Sequence, residues 1–128
     1  MSGIGITGIG QLLIPTKDQA RAIAFYRDVL GLQFLFEVPG MAFFQVGSIM
    51  LLLGPPTSPE YDHPATLVYY DVEDIDVAWA TLMAAGVRPI HQPAVAHREG
   101  KRELWLAPFW DSEDNPVELR QWKLAKET

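Results

Sequence analysis

The chain has 128 residues, 48% of them hydrophobic, with four Trp, six Phe and four Tyr. That is enough for one globular domain burying about two-thirds of the surface its unfolded chain exposes. It has no cysteine, which excludes disulfides, thiolate metal sites and cysteine nucleophiles. A net charge of −6 with scattered Lys and Arg would repel a phosphate backbone, so no nucleic acid is expected as a partner.

In chain order, the opening Met-Ser-Gly-Ile-Gly-Ile-Thr-Gly-Ile-Gly has no basic leader and is broken by glycines, so it reads as neither signal peptide nor membrane span. A cytoplasmic protein with no membrane partner is the expectation. Residues 10–15, Gly-Gln-Leu-Leu-Ile-Pro, suit a strand whose polar member is Gln11. Thr16 and Gln19 have capping-box spacing, which predicts a helix over about 17–30. Ala22, Phe25, Tyr26, Val29 and Leu30 form its packing face, and Gly31 is its stop. Strands are predicted over 33–38, 41–46 and 49–53, joined by turns at Pro39-Gly40 and Gly47-Ser48 that are short enough for hairpins.

Residues 54–64 hold four prolines and read as a stiff linker. Beyond them the pattern restarts with a strand over 66–72, then a helix over about 74–85 that stops at Gly86. Asp18, Ala22 and Ala24 recur as Asp74, Ala78 and Ala80 at one offset of 56 residues, and Gly31 recurs as Gly86 with one deletion. Further strands are predicted over 88–92, 102–108 and 116–122, with 94–100 as a polar loop. The expected fold class is therefore α+β: two tandem βαβββ modules in one domain over 1–128. Module one spans about 7–54, the linker 55–64 and module two about 65–124.

The last strand carries one acid, Glu118, after the turn-forming run Asp111 to Asn115. Strand alternation puts Val117, Leu119 and Gln121 on one face and Glu118, Arg120 and Trp122 on the other. Glu118 either pairs with Arg120 on a solvated face or serves a site, where apolar surroundings would suit it to general acid or base work. The repeat register makes Gln11, Leu51, Leu67 and Glu118 four equivalent positions, expected to cluster if the two sheets curl around a common cup.

Three segments together resemble the vicinal oxygen chelate superfamily, the group of glyoxalases, bleomycin-resistance proteins and extradiol dioxygenases. They are Ala24-Phe25-Tyr26-Arg27-Asp28-Val29-Leu30-Gly31-Leu32, Val72-Glu73-Asp74-Ile75-Asp76 with Ala84-Ala85-Gly86-Val87, and the run Asp111 to Leu119. The resemblance implies paired modules forming a cup. It also implies that metal-binding members place a His, Gln or Glu ligand at each of four equivalent strand positions. Gln11 and Glu118 match that pattern, whereas Leu51 and Leu67 offer a cation no lone pair, and no one-residue slip restores the set.

The expected function is that of a glyoxalase- and bleomycin-resistance-like protein that binds a small organic ligand in the cup. Gln11, Tyr69, Glu118, Arg120 and Trp122 are its contacts, Glu118 is the catalytic candidate, and no cofactor is predicted. The alternative is a metal-dependent lyase, isomerase or dioxygenase in which a divalent metal is completed across a dimer by a residue such as His63 or His97. The resemblance also implies a homodimer. His91, His97 in a basic loop with Arg98 and Lys101, Trp105 and Trp110 read more simply as surface or packing residues.

Overall fold

The computed structural model describes residues 3–56, 59 and 66–126, and no helix among them is long and apolar enough to cross a membrane. Its internal contacts divide it into two units, 1–63 and 64–128, each containing one βαβββ module. The proline linker, with His63, lies almost wholly outside the described residues.

Module one runs β1 (Gln11–Pro15), α1 (Gln19–Ala24), β2 (Gln33–Val38), β3 (Met41–Val46) and β4 (Ile49–Gly54). The sheet order is β1-β4-β3-β2, with β1 parallel to β4 and the other pairs antiparallel. Module two repeats this as β5 (Val68–Asp71), α2 (Ile75–Ala84), β6 (Ala94–Glu99), β7 (Arg102–Trp110) and β8 (Pro116–Leu124), in the order β5-β8-β7-β6. The α+β class and the doubled βαβββ pattern are therefore as the sequence predicts.

The helix starts show how the repeat works and where its reading slipped. α1 is capped by Asp18, whose carboxylate accepts from the Arg21 amide at 3.0 Å, and α2 by Asp74, which accepts from the Asp76 and Val77 amides at 3.1 Å. These caps stand at the same repeat position. The expected capping box of Thr16 and Gln19 does not form. Gln19 instead spans to the β2–β3 turn, accepting from the Gly40 amide at 2.9 Å and donating to the Val38 carbonyl at 3.1 Å. Asp18 lies two residues closer to the first turn than Thr16, at the position from which a side chain reaches the free amide. The helix then widens over Phe25–Val29 into a π-helical segment, closed by the Leu30 amide on the Phe25 carbonyl. Gly31 and Gly86 end the two helical segments at φ 74° and 82°, a conformation that costs a side chain about 1–2 kcal/mol.

Each helix covers one face of its sheet. In module one Tyr26 approaches Phe44 with ring centroids 6.3 Å apart, which identifies the face of Phe44 and its cross-strand partner Leu51 as the covered one. Tyr26, Phe44, Leu51 and Leu53 are all essentially inaccessible there. In module two Gln121 marks the covered face: it accepts from the Ile75 amide at 2.8 Å and donates to the Glu73 carbonyl at 2.8 Å, both at the start of α2. Val117 and Leu119 share that face with Gln121 and are buried beside Ala107 and Phe109.

One strand is displaced from its predicted place. Residues 88–92 make only an isolated bridge from Pro89 to Phe109, while the predicted polar loop is edge strand β6. Apolar patterning misleads at an edge, because an outer strand with polar side chains satisfies its ladder on one side and faces water on the other. Both edge hairpins also contain a bulge. Leu35 is the extra residue between the pairs Phe34 to Phe44 and Phe36 to Phe43, and Ala96 between Val95 to Trp105 and His97 to Leu104.

Candidate functional site

The faces that the helices leave free are where the candidate residues must be sought. In module two the free face carries Glu118, Arg120 and Trp122 from β8, Tyr69 and Asp71 from β5, and Leu104, Leu106 and Pro108 from β7. The turn before β8 holds this strand in place. Buried Asp111 accepts from the Glu113 amide at 2.7 Å, the Asn115 amide at 2.8 Å and the Asn115 side chain at 2.9 Å. Asp114 takes the positive φ of 65° that closes the turn, and its carboxylate accepts from Arg88 at 2.6 Å. Pro116 then opens β8 at the one strand position where a missing donor costs nothing.

Glu118 is only 8% exposed, and directly opposite it on β5 stands Tyr69. The Tyr69 hydroxyl donates to the carboxylate. Its proton is held more tightly than in an ordinary phenol, by desolvation first, then by the charge of Glu118 and the hydrogen bond to it. Tyr69 is therefore a phenol, and a donor, throughout the neutral range.

The simple pairing of Glu118 with Arg120 is not what forms. Arg120 instead turns to Asp71, with Nε to Oδ1 at 2.5 Å, because Asp71 is its cross-strand partner while Glu118 lies two residues along the same strand. Glu118 is thus left facing Tyr69 and Pro108. At the far end of the face the Arg102 guanidinium lies 4.2 Å from the centre of the Trp122 ring, and His97 meets the same ring edge-on at 6.3 Å. His97 and Arg98 belong to β6 rather than to a loop, and Arg98 is paired with Glu103 at 3.0 Å.

The free face of module one is different in kind. Gln11 pairs with Met50, and Leu12 with Leu51, so Gln11 faces away from Leu51. With Gln11 go Leu13, Phe43, Gln45, Met50 and Leu52, and the bulge adds Phe36. Phe36 and Phe43 stack at 4.4 Å with ring planes 20° apart.

Of the four equivalent positions, then, Gln11 and Glu118 lie on free faces. Leu51 is 2% exposed beneath α1, and Leu67 precedes β5 and is 37% exposed. The ligand set expected from the resemblance is not met by these residues. Two of the four are hydrocarbon, one of them turned into the core, and Glu118 is already a hydrogen-bond acceptor for Tyr69. Among the described residues no three His, Asp or Glu side chains converge.

Two concavities include neither Glu118 nor Tyr69. One of about 740 Å³ is lined by Trp105, Lys123 and Arg98, and one of about 420 Å³ by Arg88 and Trp110. Their principal charges are closed in the pairs Lys123 to Asp76, Arg98 to Glu103 and Arg88 to Asp114. Glu118 and Tyr69 converge instead on the free face of module two.

Sequence reading missed Phe36, Phe43 and Met50 on the free face of module one, and Asp71 and Arg102 on that of module two. Asp71 was within reach, since residues 66–72 and 116–122 were both read as strands and needed only a pairing register. Phe36 was not, because a bulge breaks the alternation that assigns faces.

Comparison with known proteins gives the same fold. A lactoylglutathione lyase from Agrobacterium tumefaciens is 24% identical with a TM-score of 0.70, over 90% of this chain and 93% of that one. TnmS3, an antibiotic binding protein from Streptomyces sp. CB03234, is 20% identical with a TM-score of 0.75, over 94% and 100%. The virulence protein STM3117 from Salmonella typhimurium is 18% identical with a TM-score of 0.76, over 92% and 98%. No curated protein matches the sequence. The family model of the Glyoxalase/Bleomycin resistance protein/Dioxygenase superfamily matches residues 8–119, nearly the whole chain, and the chain belongs to that superfamily.

Proposed function

We propose that the protein binds a small organic molecule against the free sheet face of module two, with Glu118 as the polar anchor and no complete metal site. One observation carries this reading: nearly buried Glu118 stands on a face with Tyr69, Leu104, Leu106, Pro108 and Trp122, where Arg120 is paired with Asp71 and Arg102 lies on the Trp122 ring. Apolar lining with a few convergent polar groups is the usual make-up of a small-molecule site. Glu118 would accept a hydrogen bond or proton from the ligand. Tyr69, fixed as a donor, would hold the carboxylate and compete with the ligand for it. The names of the similar structures, an antibiotic binding protein and a lyase, support a small-molecule ligand without choosing between holding it and transforming it. A soluble cytoplasmic homodimer completes the proposal.

The test is Glu118→Gln, which keeps shape and removes charge. It should abolish ligand-induced thermal shift while changing unfolding free energy by less than about 1 kcal/mol, since its partner is one half-exposed phenol. A large fall in melting temperature with ligand shifts intact would make Glu118 a structural residue. Metal content is measured on the same tag-free samples. Stoichiometric metal that is lost in Glu118→Gln and in Gln11→Ala would replace this reading with metal-assisted chemistry.

A further inference from the structure

Module two carries a recess on the other side of its sheet from Glu118, and it exists because one hairpin outgrows the helix above it. β7 and β8 are nine residues long each, where β3 and β4 have six. β5 stops at the pair Asp71 to Arg120, so Gln121 to Leu124 are held by β7 alone. α2 starts against Gln121, and the chain that leaves it meets β7 at Trp110, so the helix covers the stretch between those points. Glu103, Trp105 and Lys123 share the face of Gln121 but lie at or beyond the helix start. The concavity of about 740 Å³ opens there, and all of its lining belongs to module two.

The recess has an apolar floor and a surplus of positive charge. Trp105 is its half-buried floor, and Leu124, 76% exposed, is an apolar edge. Lys123 lies 4.5 Å from the centre of the Trp105 ring and is paired with Asp76 at 2.7 Å. Glu103 accepts from the Trp105 indole at 3.3 Å and is paired with Arg98 at 3.0 Å. Two carboxylates are thus matched by two cations, and a third cation remains. Lys126 also lines the recess and has no ion-pair partner among the described residues. The Ala125 amide, bonded to the Lys101 carbonyl at 2.7 Å, holds that segment against the hairpin. The lining is therefore positive by one charge in a chain of net charge −6. A local cation surplus over an apolar floor suits an anion that carries an apolar body, rather than a bare inorganic ion.

We propose that this recess binds a small organic carboxylate with an apolar body, at a site separate from the Glu118 face. The carboxylate sits between Lys126 and Lys123, and the apolar body lies against Trp105 and Leu124. The pair of Lys123 with Asp76 does not prevent this, because an ion pair in contact with water is weak and an ammonium has three donors to share. The site does not depend on a ligand at Glu118.

The probes are octanoate and octanol, which share an apolar body and differ in charge, titrated into the isotope-labelled full chain. The indole N–H signals of Trp105 and Trp122 report the two sides of the sheet, and Trp105→Phe and Trp122→Phe identify them. Octanoate should shift the Trp105 signal saturably, leave the Trp122 signal in place and bind more tightly than octanol. Lys126→Glu, at an exposed residue outside the core, should weaken octanoate about three- to tenfold and leave octanol unchanged. A saturable shift at Trp122 with none at Trp105 would put the ligand on the Glu118 side and overturn the proposal. Equal affinity for the two probes, or an octanoate affinity indifferent to Lys126→Glu, would reduce the recess to apolar contact and overturn it as well. So would the lack of any saturable shift at Trp105 below about 10 mM octanoate. Loss of this site would leave the Glu118 reading standing, since that reading is tested separately by Glu118→Gln.

Discussion

Module one and module two follow the same path, with the same sheet order, the same aspartate cap, the same left-handed glycine stop and the same bulge, yet their free faces carry opposite chemistry. Module one presents Leu13, Phe36, Phe43, Met50 and Leu52 with Gln11, Gln33 and Gln45. Module two presents Glu118, Tyr69, Asp71, Arg120, Arg102 and Trp122. The features that repeat are those that set backbone direction: a cap, a stop, a register. Those that differ are side chains no helix covers, where packing imposes nothing. The two modules thus share a frame and differ on the one sheet face that no helix covers.

The halves also differ in how the last strand is introduced, and this should give the largest effect. Module one uses the tight Gly47-Ser48 turn, whereas module two depends on Asp111, buried at 1% exposure and accepting three hydrogen bonds from its own loop. Asp111→Ala leaves two buried amides without that acceptor and should lower unfolding free energy by about 3 kcal/mol in urea denaturation. A loss below about 1 kcal/mol would mean that the turn is fixed by its backbone and by Arg88 rather than by Asp111.

A second asymmetry is visible in alkali. Tyr70 lies on the covered face, and its phenol is raised well above the ordinary value, by burial first and by the charge of Asp111 second. A folded-state pKa above the unfolded one means that the folded protein holds the proton more tightly. The stabilisation is complete below the unfolded phenol value of about 10 and is lost as pH rises above it toward the folded value. Stability should therefore fall by up to about 1.4 kcal/mol per pH unit above that point. Tyr70→Phe should flatten this slope without changing stability near neutrality, and an unchanged alkaline slope would point to other groups.

The repeated caps should then behave alike. Asp18→Ala and Asp74→Ala should each cost about 1 kcal/mol in urea denaturation. Losses that differ by more than about 1 kcal/mol would break the equivalence.

Much of this frame was legible because local chemistry set it. Alternation alone separated Val117, Leu119 and Gln121 from Glu118, Arg120 and Trp122, and one offset linked Asp18 to Asp74 before either was known to cap. The misreadings share a cause. Gln19 has the spacing of a capping partner but finds a better acceptor and donor in the β2–β3 turn 21 residues away, which no local pattern encodes. Strand β6 was read as a loop because its polar side chains face water at an edge. The repeat register equates Leu51 with Glu118, but the turn before β8 is longer than the one before β4, so that equivalence carries no face information. The site is less legible than the frame because pairing across strands decides it. Arg120 was as close to Glu118 in sequence as a pairing partner can be, and register gave it to Asp71 instead.

The smallest expected effect tests that last assignment. Arg120 is 39% exposed and Asp71 75% exposed in their side chains, so their attraction works largely through water and is screened by salt. A double-mutant cycle with Asp71→Ala and Arg120→Ala should give a coupling of about 0.5 kcal/mol at low ionic strength, fading toward zero in about 1 M salt. The same cycle with Glu118→Gln in place of Asp71→Ala should give a smaller coupling, because the guanidinium is turned to the neighbouring strand. Should Glu118 couple to Arg120 more strongly than Asp71 does, the carboxylate would be neutralised by its own strand, as no acid is on the free face of module one, and the chemical difference between the two faces would shrink to one salt bridge.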